Sequence, residues 1–124
     1  MTTRNSAPRD YTTALRRSIV NGTISLFVLQ RAKREPVYGG ALAKALREFG
    51  YTMSPGTLYP LLHSLERAKL LRSHTTTVRG RVRRYYEITP FGRKSYAEAR
   101  HTLGGLVREM LFDNDGPSPH EPSG

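Results

Sequence analysis

The chain has 124 residues, 37% of them hydrophobic, which is enough for one domain with a modest core. Zero cysteines exclude disulfides and cysteine–zinc sites and fit a cytosolic protein, and no apolar run approaches the length of a membrane span. Twenty Lys and Arg against ten Asp and Glu give a net charge of +10, which favours a polyanionic partner, nucleic acid before an acidic membrane.

The first stretch, residues 1–10, lacks the apolar core of a signal peptide and is predicted to be a disordered leader. A DNA-binding arm is the alternative. A helix is predicted from Tyr11 to about Arg31, because Leu15, Ile19, Leu26 and Leu29 recur at helical spacing. Its apolar half, residues 24–29, is predicted to be the buried central part, and Glu35-Pro36 ends the element.

A second helix is predicted from Gly39 to Phe49. Its buried stripe is Leu42, Ala43, Leu46 and Phe49, and Gly50 follows where a helix C-terminus favours a left-handed residue. A short extended link leads to a third helix over residues 54–71, with Ser54 as N-cap and Pro55 in the first helical position. Pro60 lies inside this helix, so a local bend or an irregular first turn is expected.

Two strands, residues 70–74 with the β-prone run after them and residues 82–88, are predicted to pair through a turn with Gly80 at its tip. Thr89-Pro90 then opens a last helix to about Phe112. An a/d seam of apolar residues along it predicts a dimer contact, formed by Tyr96, Ala99, Leu103, Leu106 and Met110. Residues 113–124 are predicted to be a disordered tail.

Three helices, a hairpin and a final helix predict a mainly α fold with a small β-hairpin: a winged helix-turn-helix over residues 11–89 and a dimerisation helix over 90–112. The third helix would enter the major groove of DNA. Its start offers free N–H groups, and Gly56 lets the backbone come close to DNA. The polar side chains predicted to contact DNA are Ser54, Thr57, Tyr59 and His63. The alternative is that Ser54 only caps and Tyr59 packs.

The predicted wing is strongly basic. No acidic residue lies between Glu66 and Glu87. A charge run is usually a solvated surface, but Arg79, Arg81 and Arg83 project from a hairpin turn that can reach phosphates or a minor groove. Arg84 has an alternative place over the core, paired with Glu87 or Glu66.

Three motifs resemble one known family. They are PVYGGAL at residues 36–42, SPGTLYPLL at 54–62 and RRYYEITPFG at 83–92, in an order and spacing similar to PadR-type transcriptional regulators. The resemblance implies a dimeric winged-helix repressor, bound to DNA without ligand and released by a small, often aromatic effector. It also implies that Tyr38 approaches DNA together with the residues above. The chain departs from the family at Gly40, where Tyr is common, and it has no Trp.

We hypothesise that Phe27, Tyr96 and Leu103 line an effector pocket. The alternative is that they are ordinary core and dimer contacts. An enzyme is not expected, because the four His have no metal-ligand spacing and no glycine-rich phosphate loop precedes a helix. No cofactor is expected. The rival functions are a winged helix for protein–protein contact and an RNA-binding protein. The homodimer predicts a pseudo-palindromic operator in double-stranded DNA.

Overall fold

The computed structural model describes the backbone of residues 3–112 and the side chains of residues 11–112. Its elements follow the predicted order of three helices, a hairpin and a helix. They are α1 (Thr3–Arg34), α2 (Gly39–Glu48), α3 (Pro55–Arg67), β1 (Leu71–Val78), β2 (Arg81–Ile88) and α4 (Pro90–Phe112). The predicted mainly α fold with a hairpin wing and a C-terminal helix is therefore confirmed. The predicted tail, residues 113–124, lies outside the described residues.

Helix α1 is longer than predicted at both ends. It begins at Thr3, so residues 3–10 of the predicted disordered leader are helical, while residues 1–2 lie outside the described part. Asn21 and Gly22 do not interrupt it, and it ends at Arg34, just before Glu35-Pro36. Its second half is buried as predicted, because this half packs against α3, α4 and the hairpin.

Helices α2 and α3 are joined by residues 49–54. Gly50 takes the predicted left-handed conformation, with φ +82°, and its N–H donates to the Arg47 carbonyl oxygen at 2.8 Å. Met53 is buried and anchors the link to the core. Phe49, predicted to be buried, is 73% exposed, because the helix ends at Glu48 and Phe49 packs only edge-on against Phe27.

Helix α3 ends at Arg67, four residues before the predicted boundary. The cause is Lys69, whose φ of +69° is left-handed and whose N–H donates to the Glu66 carbonyl oxygen at 2.9 Å. The N–H of Leu70 returns to the Leu65 carbonyl oxygen, which closes the helix before β1 begins. The helix is continuous from Pro55 through Pro60 to Arg67, which contradicts an irregular first turn, while a local bend at Pro60 stays a prediction.

The hairpin is an antiparallel pair in which Leu71 lies opposite Ile88 and Val78 opposite Arg81. Arg79 and Gly80 form its two-residue turn and both have positive φ, 53° and 78°, as a type I′ turn requires. Val37 exchanges two backbone hydrogen bonds with Tyr86, of 2.9 and 2.7 Å. The hairpin is thereby tied to the segment that leads into α2.

The core is contributed by α1, α2, α3 and the base of the hairpin. Its most deeply buried large side chains are Val28, Leu42, Leu58, Leu62, Leu71 and Tyr86. Val82 is 74% exposed because the outer half of the hairpin extends beyond the core.

Helix α4 begins at the predicted cap. Thr89 Oγ1 accepts a hydrogen bond from the N–H of Gly92 at 2.8 Å and donates to the Lys69 carbonyl oxygen at 2.7 Å. Gly92 is buried, and a Cβ at this position would overlap the Leu70 carbonyl oxygen. The close approach fixes where α4 leaves the winged-helix unit. Within residues 3–112, no helix is long and apolar enough to span a bilayer.

Candidate DNA interface

The start of α3 is open to solvent, as the sequence predicted. Ser54 is the N-cap residue by backbone conformation, but its side chain makes no capping hydrogen bond. Its Oγ instead lies 3.2 Å from Oγ1 of Thr57. Gly56 is exposed, and a Cβ there would meet nothing closer than Ser54 Oγ at 3.8 Å. This first turn therefore presents two hydroxyls and a bare backbone, and the positive end of the helix dipole adds to its affinity for a phosphate.

Tyr59 combines packing with exposure. A Cβ on Gly39 would lie 2.7 Å from the Tyr59 hydroxyl and 2.8 Å from its ring, so Gly39 is needed for this contact. Tyr59 nevertheless remains 44% exposed. The contact joins the first residue of α2 to α3, so a residue of the first motif packs against a residue of the second. His63 lies one turn further along α3 and is exposed.

A hollow of about 420 Å³ runs beside the start of α3. Gly56, Thr57 and Ser64 line it from α3, and Arg17 and Asn21 line it from α1. Arg17 thus lies beside the first turn of α3, where it adds a cation to the open helix start. No local sequence pattern points to Arg17, since its position relative to α3 depends on how the two helices pack.

The turn of the wing has a backbone conformation that is energetically unfavourable for arginine. Arg79 has φ +53°, in the left-handed region that costs a residue with a Cβ about 1 kcal/mol. Arg81 follows at the first position of β2 and is exposed, as is Arg79. Strained residues concentrate at functional sites, so the Arg at this position is consistent with a role for its cation.

Arg83 is held in place by aromatic rings. Its Cζ lies 4.0 Å from the centroid of the Tyr38 ring, and its Nη1 donates to the Tyr85 hydroxyl at 3.3 Å. The rings of Tyr38 and Tyr85 meet edge to face at 5.5 Å, and His74 stacks on Tyr85 at 5.8 Å. We call Tyr38, Arg83 and Tyr85 the wing clamp. The hydrogen bond that Arg83 donates to the Tyr85 hydroxyl raises the pKa of Arg83 above its usual value, so this cation stays charged.

The wing clamp is connected to α3 through the start of α2. Tyr38 is the N-cap residue of α2 and the next residue, Gly39, packs against Tyr59. A continuous path of contacts therefore runs from Arg83 on the wing to the first turns of α3. Residues 83 and 85 share one face because side chains alternate along a strand, but the ring contacts with Tyr38 depend on tertiary packing.

Arg84 is not part of the clamp. Its Nη1 donates to Ser73 Oγ at 2.9 Å, and Ser73 Oγ donates to Glu66 Oε2 at 2.7 Å. The proposed pairing of Arg84 with Glu66 is thus indirect, through Ser73, while Glu87 pairs with Arg72 at 2.9 Å. Glu66 and Glu87 therefore both have partners near the inner part of the hairpin. Among the described side chains, the cations at the hairpin tip have no acidic partner.

An apolar surface lies along the outer parts of α1 and α4. Of the five predicted seam residues, Tyr96 is buried, while Ala99, Leu103, Leu106 and Met110 are exposed, with Met110 at 67%. On α1, Leu15 and Ile19 are half exposed as well. Isolated exposed apolar residues are ordinary, but a row along two helices indicates an interaction surface.

The three residues hypothesised for an effector pocket lie in three different hollows of the chain. Phe27 lines an apolar hollow of about 390 Å³ between α1 and the end of α2. Tyr96 lines a hollow between α1 and α4, and Leu103 lies on the open side of α4. A single described chain therefore does not bring these side chains together.

The fold and the motifs agree with comparisons to known proteins. The model of the transcriptional regulator PadR-like family matches residues 28–98. "Transcriptional regulator Rv3488" of Mycobacterium tuberculosis (strain ATCC 25618 / H37Rv) is 43% identical over 95 residues, which cover 77% of this chain and 89% of that protein.

Solved structures give the same result. A PadR family transcriptional regulator from Eggerthella lenta DSM 2243 has a TM-score of 0.66 at 33% identity, covering 87% of this chain and 98% of that one. A PadR-like transcription factor from Bacteroides fragilis has a TM-score of 0.71 at 24% identity, covering 82% and 99%, and supports the fold alone. These relatives are transcriptional regulators, which confirms the non-enzyme prediction. The chain belongs to the PadR-like family of transcriptional regulators.

Proposed function

We propose that this protein is a sequence-specific, homodimeric repressor whose helix α3 reads the major groove of double-stranded DNA. The observation that carries the proposal is the path from Arg83 through Tyr38 and Gly39 to Tyr59. It holds a cation of the wing and the open first turn of α3 in one fixed arrangement. Such preorganisation suits two simultaneous contacts to DNA, a groove contact and a phosphate contact.

Roles follow from the position of each side chain. Thr57, Tyr59 and His63 would reach base edges or phosphates from α3, and Ser54 and Gly56 would let a phosphate approach the helix start. Arg79, Arg81 and Arg83 would contact phosphates from the wing, with Tyr38 supporting Arg83. Arg17, beside α3, is a further phosphate contact in this proposal.

The exposed apolar surface of α1 and α4 supports the homodimer. A second copy would cover Leu103, Leu106 and Met110, which the single chain leaves open. Two-fold symmetry then requires a pseudo-palindromic operator with half-sites about one helical turn apart. A small, aromatic effector that releases the DNA belongs to the same proposal, with Phe27, Tyr96 and Leu103 as its candidate contacts, in a cytoplasmic protein located at the nucleoid.

The test is binding to the DNA upstream of the protein's own gene, compared with random duplex and titrated against salt. Thr57→Ala and Tyr59→Phe alter the α3 surface, and Tyr59→Phe keeps the ring contact with Gly39. We expect both variants to lose discrimination between the two duplexes. Arg79→Ala/Arg81→Ala should weaken binding to both duplexes and make the salt dependence shallower by about two, one for each lost phosphate contact.

Lys94→Ala/Arg108→Ala is the charge-matched control, because it removes two exposed cations of α4. It should leave the salt dependence unchanged. Equal, weak binding of the wild type to every duplex would contradict sequence-specific reading and favour a winged helix used for protein–protein contact. Preference for a single-stranded RNA of the same sequence would favour the RNA-binding alternative.

A further inference from the structure

A second cluster of cations lies away from the wing, where the last turns of α1 meet the first turns of α4. It surrounds a hollow of about 400 Å³. The lining residues are Gln30, Lys33, Arg34, Arg93, Tyr96 and Arg100. We call this the α1/α4 basic hollow. None of the residues assigned to DNA contact lines it.

The hollow is built on two packed helices. Arg93, Tyr96 and Arg100 follow one stripe of α4 at spacings of three and four, and Lys33 lies opposite on α1. Nζ of Lys33 is 5.5 Å from the centroid of the Tyr96 ring, and Nη2 of Arg93 donates to the Lys33 carbonyl oxygen at 3.4 Å. Tyr96 is 8% exposed and forms the floor. Cations on packed helices are better preorganised than cations on loops.

The charge of the hollow is not compensated. No acidic side chain lines the hollow. Among the side chains of residues 11–112, the one ion pair is between Arg72 and Glu87, which lie on the hairpin and not at the hollow. Four exposed cations, Lys33, Arg34, Arg93 and Arg100, therefore line one concavity, and no carboxylate is part of its lining. Like charges brought together repel each other, and an anion in the hollow would replace this repulsion with attraction.

We propose that the α1/α4 basic hollow binds a phosphate-bearing anion. Guanidinium groups match the geometry of phosphate oxygens with two parallel N–H donors, and the ammonium of Lys33 adds a point charge. The hollow is large enough for a small phosphorylated molecule. The same chemistry is offered by a backbone phosphate of DNA, and the two sources are separated by experiment. The phosphate site does not depend on the proposed function.

The first arm is calorimetric titration of the full-length protein with pyrophosphate as the probe, at about 0.1 M salt, where exposed charges are screened beyond about 10 Å. We expect saturable binding to the wild type. Arg93→Gln/Arg100→Gln should weaken it at least tenfold, because it removes two of the four cations while keeping polar side chains. Lys44→Gln/Arg47→Gln removes the same charge from the exposed side of α2 and should leave the affinity unchanged.

Thermal unfolding of both double variants shows whether either is misfolded, and Arg93→Lys/Arg100→Lys is used in addition because it keeps the charge. Partial retention of affinity in the Lys variant is expected, since charge remains and the planar fork is lost. An equal loss in the α2 control would overturn the proposal, because the binding would then report net charge alone. Absence of saturable binding to the wild type would overturn it too.

The second arm identifies the source of the phosphate. The salt dependence of binding to duplex DNA is compared for the wild type and Arg93→Gln/Arg100→Gln. An unchanged slope, with pyrophosphate affinity lost, assigns the hollow to a small phosphorylated ligand. A slope shallower by about two assigns it to the DNA backbone. If neither the slope nor the pyrophosphate affinity changes, the hollow is not a phosphate site.

Discussion

The winged-helix unit and the outer parts of α1 and α4 use similar apolar periodicity with different results. In the unit, Leu58 and Leu62 of α3 are at most 2% exposed. On α4, Leu106 and Met110 follow the same helical spacing and are 56% and 67% exposed. The first set finds its partners within the chain, whereas the second set finds none among the described residues. Periodicity therefore predicts that a face will be buried, but not by which molecule.

The two regions also differ in how their charges are arranged. Around the inner part of the hairpin, both carboxylates have partners. Glu87 pairs with Arg72, and Glu66 of α3 accepts a hydrogen bond from Ser73, which accepts one from Arg84. At the wing clamp, Arg83 is stacked on Tyr38 and has no carboxylate partner among the described side chains. Aromatic rings orient a cation without neutralising it, which keeps the charge available for a phosphate.

The largest effect is expected on the stability of the winged-helix unit, through a substitution at its packing contact with α4. Gly92→Ala places a methyl group against the Leu70 carbonyl oxygen and 2.8 Å from Cγ1 of Ile88. Relieving this overlap requires a shift of the backbone, which is energetically costly. We expect a loss of at least about 3 kcal/mol in the free energy of unfolding, measured by urea denaturation. Gly22→Ala is the control, since a Cβ there meets nothing within 4 Å and should stabilise α1 by up to about 1 kcal/mol. Equal stability of the two variants would contradict the close approach.

The next effect tests whether a second copy covers α4. Leu106→Ala/Met110→Ala removes apolar area from the exposed seam, so the dissociation constant of a homodimer should rise at least tenfold, as one lost side chain is worth about 1.5 kcal/mol or more. Analytical ultracentrifugation measures it. Val82→Ala, an equally exposed apolar residue on the wing, should leave the constant unchanged. A wild type that is monomeric at micromolar concentration would refute the dimer.

A smaller effect is expected at the wing clamp. Tyr38→Leu removes the ring under Arg83 while keeping an apolar side chain at the N-cap of α2. Affinity for duplex DNA should fall about threefold to tenfold, because the Arg83 cation loses its fixed orientation, and the salt slope should hardly change because the charge remains. Arg83→Ala should lower the slope by about one. A Tyr38→Leu variant with wild-type affinity would show that the stacking is irrelevant to binding.

The smallest effect concerns a buried hydroxyl. Tyr86 is 1% exposed and its Oη has no hydrogen-bond partner among the described residues. Burial raises the pKa of Tyr86, so its neutral form stabilises the fold below the ordinary pKa of about 10, and this contribution is lost as the pH rises above it. Tyr86→Phe should stabilise by up to about 1 kcal/mol at neutral pH and by more at pH 10.5.

Urea denaturation at the two pH values measures this, with Tyr85→Phe as the control. Tyr85 accepts a hydrogen bond from Arg83, so removing its hydroxyl should destabilise slightly or have no effect at either pH. A destabilised Tyr86→Phe variant would indicate that the buried hydroxyl has a partner in solution.

Much of the candidate site was predictable because it is local. The backbone position of Ser54 at the helix start follows from helix-cap preferences, and Gly80 follows from the turn that a two-residue hairpin requires. Contacts between distant segments were not predictable. Arg17 beside α3, and Tyr38 under Arg83, depend on the angles at which α1, α2 and the hairpin pack, which no local pattern encodes.

The order of the elements, the cap at Thr89, the left-handed Gly50 and the membership in the PadR-like family could be predicted from the residues alone. These depend on spacing and on the conformational preferences of single residues. Three features depend instead on packing: α3 ends at Arg67, Phe49 is exposed, and four cations line one hollow between α1 and α4. The physical reason is that burial and charge are properties of how segments pack, and packing is fixed only when all of them compete for the same core.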